Sequence, residues 1–141
     1  MMLKALMFCL VFLAIQQPTE RPQLTIKISN IEKLKGDIKI GVFNTDTNFL
    51  KEGAAIKNYS IKVDKNTAVL TITDLPKGEY AVSMYHDENS DAKMNTNFFG
   101  IPKEPYGFSN NIQPRMSAPK YKDCKFSFAE NTTLQIKLIT Y

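Results

Sequence analysis

Histidine and cysteine are almost missing from this chain: its 141 residues include one His and two Cys. Cys9 falls inside an uninterrupted apolar stretch, Ala5 to Ile15, with Lys4 before it and polar Gln16-Gln17-Pro18-Thr19 after it. A basic start, a short apolar run and a polar exit read as a secretory signal peptide over residues 1–17. They predict an exported protein, periplasmic or extracellular. Cleavage leaves Cys124 alone, which excludes an intramolecular disulfide. One Cys and one His also fall short of the four ligands of a structural zinc site. Leu6-Met7-Phe8 ahead of Cys9 does not suit a lipid-attachment cysteine, which needs a small residue before it. The apolar stretch is short for a bilayer span. A retained anchor is the alternative to cleavage; after cleavage no transmembrane span is expected.

Other absences narrow the function. There is no glycine run to cradle phosphates, no nucleophile beside a plausible base, and no pair of carboxylates in contrasting settings. The net charge is +4, but the lysines are spread out and alternate with apolar residues, as in Ile26-Lys27-Ile28 and Ile38-Lys39-Ile40. A nucleic-acid surface clusters its cations and interleaves aromatics, so no nucleic-acid partner is expected. Lysine on strand faces instead discourages edge-to-edge aggregation.

What the chain has is period-two alternation. Leu24, Ile26 and Ile28 share one strand face; Ile38, Ile40 and Val42 a second; Ile61 and Val63 a third. Ala68, Leu70 and Ile72 mark a fourth strand, and Tyr80, Val82 and Met84 a fifth. Cys124, Phe126 and Phe128 mark a sixth, and Leu134, Ile136 and Leu138 a seventh. Phe49 to Ile56 is the one segment suited to a short helix. Seven short strands punctuated by turns predict a seven-stranded antiparallel Greek-key β-sandwich, because each alternating face needs a second layer to bury it. One domain, residues 18–141, is expected, carrying a long irregular loop over 87–122.

That loop opens with the most informative run, Asp87-Glu88-Asn89-Ser90-Asp91-Ala92-Lys93-Met94-Asn95-Thr96-Asn97. Oxygen-bearing side chains at alternate positions can converge on a hard cation. In that reading Asp87, Asn89, Asp91, the Lys93 carbonyl and Asn95 hold Ca²⁺, at a weak extracellular affinity of order 10⁻⁴ M. Phe98 stands where an EF-hand has its bidentate Glu, so this is not that motif. The competing reading is a polar turn whose Asp and Asn side chains bond their own backbone. His86, beside Asp87, is expected to close the core at the end of its strand; the enzymatic alternative makes it a base acting with Asp87, Glu88 or Cys124 in a small hydrolase. Phe98, Phe99 and Phe108 are expected to fold back and plug the sandwich, leaving Tyr106 as the exposed ligand contact.

From Asp74 to Phe126 the chain resembles a family of secreted bacterial proteins known as domain of unknown function 2141. The segments that carry the resemblance are Leu75-Pro76-Lys77-Gly78-Glu79-Tyr80-Ala81-Val82, Tyr85-His86-Asp87-Glu88-Asn89, and Asn97 to Asn111 with its Gly100-Ile101-Pro102-Lys103-Glu104-Pro105-Tyr106-Gly107-Phe108-Ser109 run. Pro119 to Phe126 completes it. The resemblance implies an extracytoplasmic β-sandwich similar in outline to transthyretin-like and adhesin-repeat domains, with no established activity. The family's acidic loop usually has Gly at Ala92 and Asp at Asn95, and it commonly has Ala at Cys124. The reading is therefore a non-catalytic binding or assembly module with an unidentified protein or glycan partner at the cell envelope. A structural subunit of an envelope complex is a further alternative.

Overall fold

The structure is a computed structural model that describes residues 20–140; the expected signal peptide lies outside the described residues. Among the described residues eight strands form two sheets. One sheet has three strands: β1 (Leu24–Ser29) in the middle, antiparallel to β4 (Ala68–Ile72) and parallel to β8 (Thr132–Lys137). The other runs β3 (Lys57–Lys62), β2 (Asp37–Phe43), β5 (Gly78–Asp87), β6 (Tyr106–Phe108). β7 (Phe126–Phe128) pairs with the first residues of β5, Gly78 to Tyr80, while β6 pairs with Ser83 to Tyr85.

The alternating residues face each other between the sheets. Leu24, Ile26 and Ile28 of β1, Ile38, Ile40 and Val42 of β2, and Tyr80, Val82 and Met84 of β5 form one buried cluster with Phe128, Ile136 and Leu138. Burying each such side chain fully is worth roughly 1.5–3 kcal/mol, so this cluster holds the two layers together. Tyr80 also donates its hydroxyl to the Pro76 carbonyl at 2.7 Å, fixing the turn that enters β5.

The all-β sandwich expected from the alternation is present, with differences in detail. There are eight strands rather than seven, and β1 and β8 run parallel. Alternation specifies which face a residue takes, not the direction of the neighbouring strand. The extra strand, β6, spans three residues, too few to display a period. Cys124 is not in a strand: it ends a single helical turn, α1 (Tyr121–Cys124), and β7 starts at Phe126. The segment from Phe49 to Ile56 holds hydrogen-bonded turns rather than a helix, because Leu50 and Gly53 both take positive φ, at 60° and 72°.

A second buried cluster lies on the outer face of the larger sheet: Ala81, Tyr106, Phe108, Tyr121 and Cys124, with Phe49, Tyr85 and Met94 packed against it. The stretch 87–122 is therefore a third layer over that face. Ser109, Asn110 and Asn111 fasten it. The Ser109 hydroxyl donates to the Cys124 carbonyl and accepts the Val82 amide at 2.9 Å. Asn110 donates to the carbonyls of Asp123 and Lys125. Asn111 donates to the Gln135 carbonyl and accepts from the Lys137 amide, extending the edge of β8. Both asparagines have positive φ, at 62° and 49°, a conformation Asn tolerates better than most residues.

Candidate functional site

The acidic loop begins where β5 ends, and its carboxylates do different jobs. Asp87 is buried. Its Oδ1 accepts the Asp91 amide at 3.1 Å and its Oδ2 the Ala92 amide at 2.9 Å. Glu104 is also buried and does the same for other parts of the loop, accepting the amides of Glu88 at 3.0 Å and Asn95 at 3.1 Å. Backbone bonds from Lys103 to Asn95 and from His86 to Pro105 complete the closure, both 2.8 Å. Two inward carboxylates thus take the place of a strand ladder in ordering a loop that has none.

Asn89, Asp91 and Asn95 point outward and meet. Asn95 Nδ2 donates to Asp91 Oδ2 at 2.9 Å, and Asn89 Nδ2 donates to the same oxygen at 3.2 Å and to Asn95 Oδ1 at 3.1 Å. Those bonds, chiefly that from Asn95, hold the Asp91 carboxyl below the usual carboxylate range; the Lys93 amide and Asn89 add to the effect. Of the five residues proposed for a cation, three side chains converge, while the Asp87 oxygens are turned to backbone amides. Among the described residues no three His, Cys, Asp or Glu side chains are grouped to hold a metal. Ser90 and Ala92 have φ of 58° and 60°, so both sit in the left-handed region that costs a non-glycine residue about 1 kcal/mol.

His86 is fully buried. Its register partner Ile38 belongs to the core between the sheets. Nε2 contacts the Lys35 carbonyl at 2.6 Å, and Nδ1 has no partner among the described residues. Cys124 is on the other side of the sheet, in the outer cluster, where burial pushes the thiol up to about 11 and Asp123 adds to the effect. A thiol held protonated is a poor nucleophile, and the larger sheet stands between it and the imidazole.

The aromatic assignments are inverted. Tyr106, expected as the exposed contact, is 4% exposed, because the pairing of β6 with Tyr85 of β5 turns its ring onto the outer cluster against Phe108, at 5.7 Å between centroids. Phe98 and Phe99, expected to plug the sandwich, are 97% and 82% exposed; Phe108 is buried as expected. The two exposed rings occupy a turn closed beneath them. Asn97 Oδ1 accepts the amides of Phe99 at 2.9 Å and Ile101 at 3.0 Å, and the Asn97 carbonyl accepts Gly100 at 3.0 Å. Beside this turn lies a groove of about 920 Å³ whose lining includes Tyr85, Lys93, Phe99, Ile101, Arg115 and Met116. Met116, which lines the groove from another part of the chain, is 99% exposed. The signal for this turn lies in the sequence: Asn followed three positions later by Gly marks a tight turn that projects the pair between them.

The stretch from Glu104 to Asn111 has a structural job at nearly every position. Glu104 closes the loop, Pro105 receives the His86 amide, Tyr106 and Phe108 form the outer cluster, and Ser109-Asn110-Asn111 fasten the layers. The model of the family described as "uncharacterized protein conserved in bacteria (DUF2141)" matches residues 26–136. The chain belongs to that family. No curated protein and no solved structure matches it. Among the described residues no helix is long and apolar enough to cross a membrane.

Proposed function

We propose that this member of the family is an exported, non-catalytic module that binds at the cell envelope through the face built by residues 92–119. One observation carries the reading: two adjacent phenylalanines, almost wholly exposed, stand on a turn whose backbone is tied down by Asn97. Holding large apolar rings in water invites aggregation, and a fixed turn that does so is built to meet something. Export is supported by the amino-terminal segment, and the absence of catalysis by the separation of His86 from Cys124. The test is retention of the full chain on bacterial envelope fragments, by sedimentation. Replacing Phe98, Phe99 and Met116 together by Ser is expected to leave the melting midpoint within a few degrees and to remove most of the retention. Unchanged retention would overturn the reading.

Calcium is a secondary proposal confined to Asn89, Asp91 and Asn95, whose side chains meet through amide nitrogens donated to Asp91 and Asn95 and would have to turn their amide oxygens inward to hold the ion. With Asp91 as the single carboxylate, binding belongs at or below the weak end of extracellular sites, of order 10⁻⁴–10⁻³ M. Millimolar Ca²⁺ is then expected to raise the melting midpoint slightly, in proportion to occupancy, and Asp91→Asn to abolish the increment. Superimposable melts with Ca²⁺ and with chelator would remove the metal and leave the self-bonded turn.

A further inference from the structure

We propose that the Phe98–Phe99 turn is a membrane-interface anchor: its rings enter the headgroup boundary of an anionic bilayer while the cations around it bind lipid phosphates. This rests on the binding reading above and deepens it by naming the partner. Three observations converge.

The first is charge. From Ala92 to Lys122 the chain has five basic residues, Lys93, Lys103, Arg115, Lys120 and Lys122, and a single acid, Glu104. Glu104 is buried and spent on two backbone amides. The segment itself therefore shows five cations and no exposed carboxylate, with Asp91 and Asp123 at its two ends and Lys51 and Glu52 lining the adjoining groove, whereas the chain as a whole is nearly balanced, at 18 basic to 14 acidic residues. Lys103, Arg115, Lys120 and Lys122 form no ion pair with another described residue. A basic fringe around exposed apolar side chains complements an anionic leaflet, where each basic residue near the surface contributes about 1 kcal/mol, or roughly fivefold in partitioning.

The second is shape. Phe99 and Met116 line the groove, but Phe98 does not; its ring packs edge-on against Phe99, 5.5 Å away, and is otherwise open. A peptide or sugar lying in the groove would leave Phe98 in water. A soft, penetrable surface covers Phe98, Phe99 and Met116 together. The third is rigidity. The turn is closed by Asn97, and a β-bridge between Thr96 and Pro102 braces its base, so little chain entropy is lost when it is immersed.

The chain has no tryptophan, so Phe98→Trp places a single, selectively excitable tryptophan at the tip, and Val69→Trp places one at a 59% exposed site on β4 of the opposite sheet. Each full-length variant is mixed with phosphatidylcholine vesicles with or without phosphatidylglycerol, carrying brominated acyl chains. The expected result is a blue shift and bromine quenching at position 98 with the anionic vesicles only, and neither at position 69. In the Phe98→Trp background, Phe99→Ser is expected to weaken partitioning by about tenfold or more, and Lys103→Glu with Arg115→Glu to abolish it. Emission from position 98 that stays at its value in buffer overturns the proposal. So does equal quenching at positions 98 and 69, which would mean adhesion through the amino-terminal apolar stretch, and so does a shift produced by polyglutamate but not by vesicles. Loss of envelope retention in the triple Ser variant, together with unresponsive emission from Phe98→Trp, would leave the binding module standing and rule out lipid as its partner.

Discussion

Gly36→Ala lowers the unfolding free energy by about 4 kcal/mol, the sum of a left-handed backbone penalty and an overpacked contact. Gly36 precedes β2 with φ of 66°, and a Cβ built there lies 2.0 Å from the Asp87 carbonyl oxygen and 3.0 Å from Glu88 Cα. Neither neighbour is the yielding tip of a side chain; both are backbone at the foot of the acidic loop. The methyl group therefore pushes the loop off the sheet end, moving Asp87 away from the amides it holds. Gly53→Ala is the control. It shares the positive φ, at 72°, but has nothing within 4 Å, so it costs about 1 kcal/mol. For a domain of this size the two variants differ in melting midpoint by roughly 10 °C, measured by circular dichroism. Equal midpoints would mean that the loop foot does not rest on Gly36.

Glu104→Ala is expected to cost about 3 kcal/mol, because two partly buried amides lose a charged acceptor and each unpaired group costs about 1–3 kcal/mol. The loss has an address. Hydrogen exchange at the Glu88 and Asn95 amides should accelerate strongly, while amides in β1 and β2 change only with global stability. Glu104→Gln retains one acceptor and should fall between the Ala variant and the parent. A melting curve identical to the parent's would show that the loop is held by its backbone bonds alone.

Much of the sandwich is legible in the sequence because β1, β2, β4 and β5 are long enough to alternate, and their apolar residues do face one another. What escapes has specific causes. β6 is three residues, Tyr106-Gly107-Phe108, with a glycine at its centre, so it shows no period and nothing local assigns Tyr106 to a sheet. The parallel pairing of β1 with β8 rests on long-range register, which side-chain alternation does not encode. Cys124 continues the phase of Phe126 and Phe128 by coincidence, since a helical turn ends on it. The acidic loop is visible as a run of oxygens, but not its division into inward Asp87 and outward Asn89, Asp91 and Asn95. That division depends on which amides the fold leaves open. Glu104, the loop's second fastener, lies in another part of the sequence, so spacing alone makes it no more than an outside contributor. Size argues for burying Phe98 and Phe99, whereas the Asn97 turn decides their direction.

The parallel neighbour of β1 has a consequence for how the protein comes into being. β8 joins β1 across nearly the whole described chain, and Asn30 is tied to Leu138, 108 positions later. The smaller layer therefore stays incomplete until β8 has been synthesised, and such distant pairings are slow to form. The larger sheet's path from β3 to β6 needs nothing beyond Phe108, so those strands can pair first, and the smaller layer closes over them only when β8 takes its place beside β1.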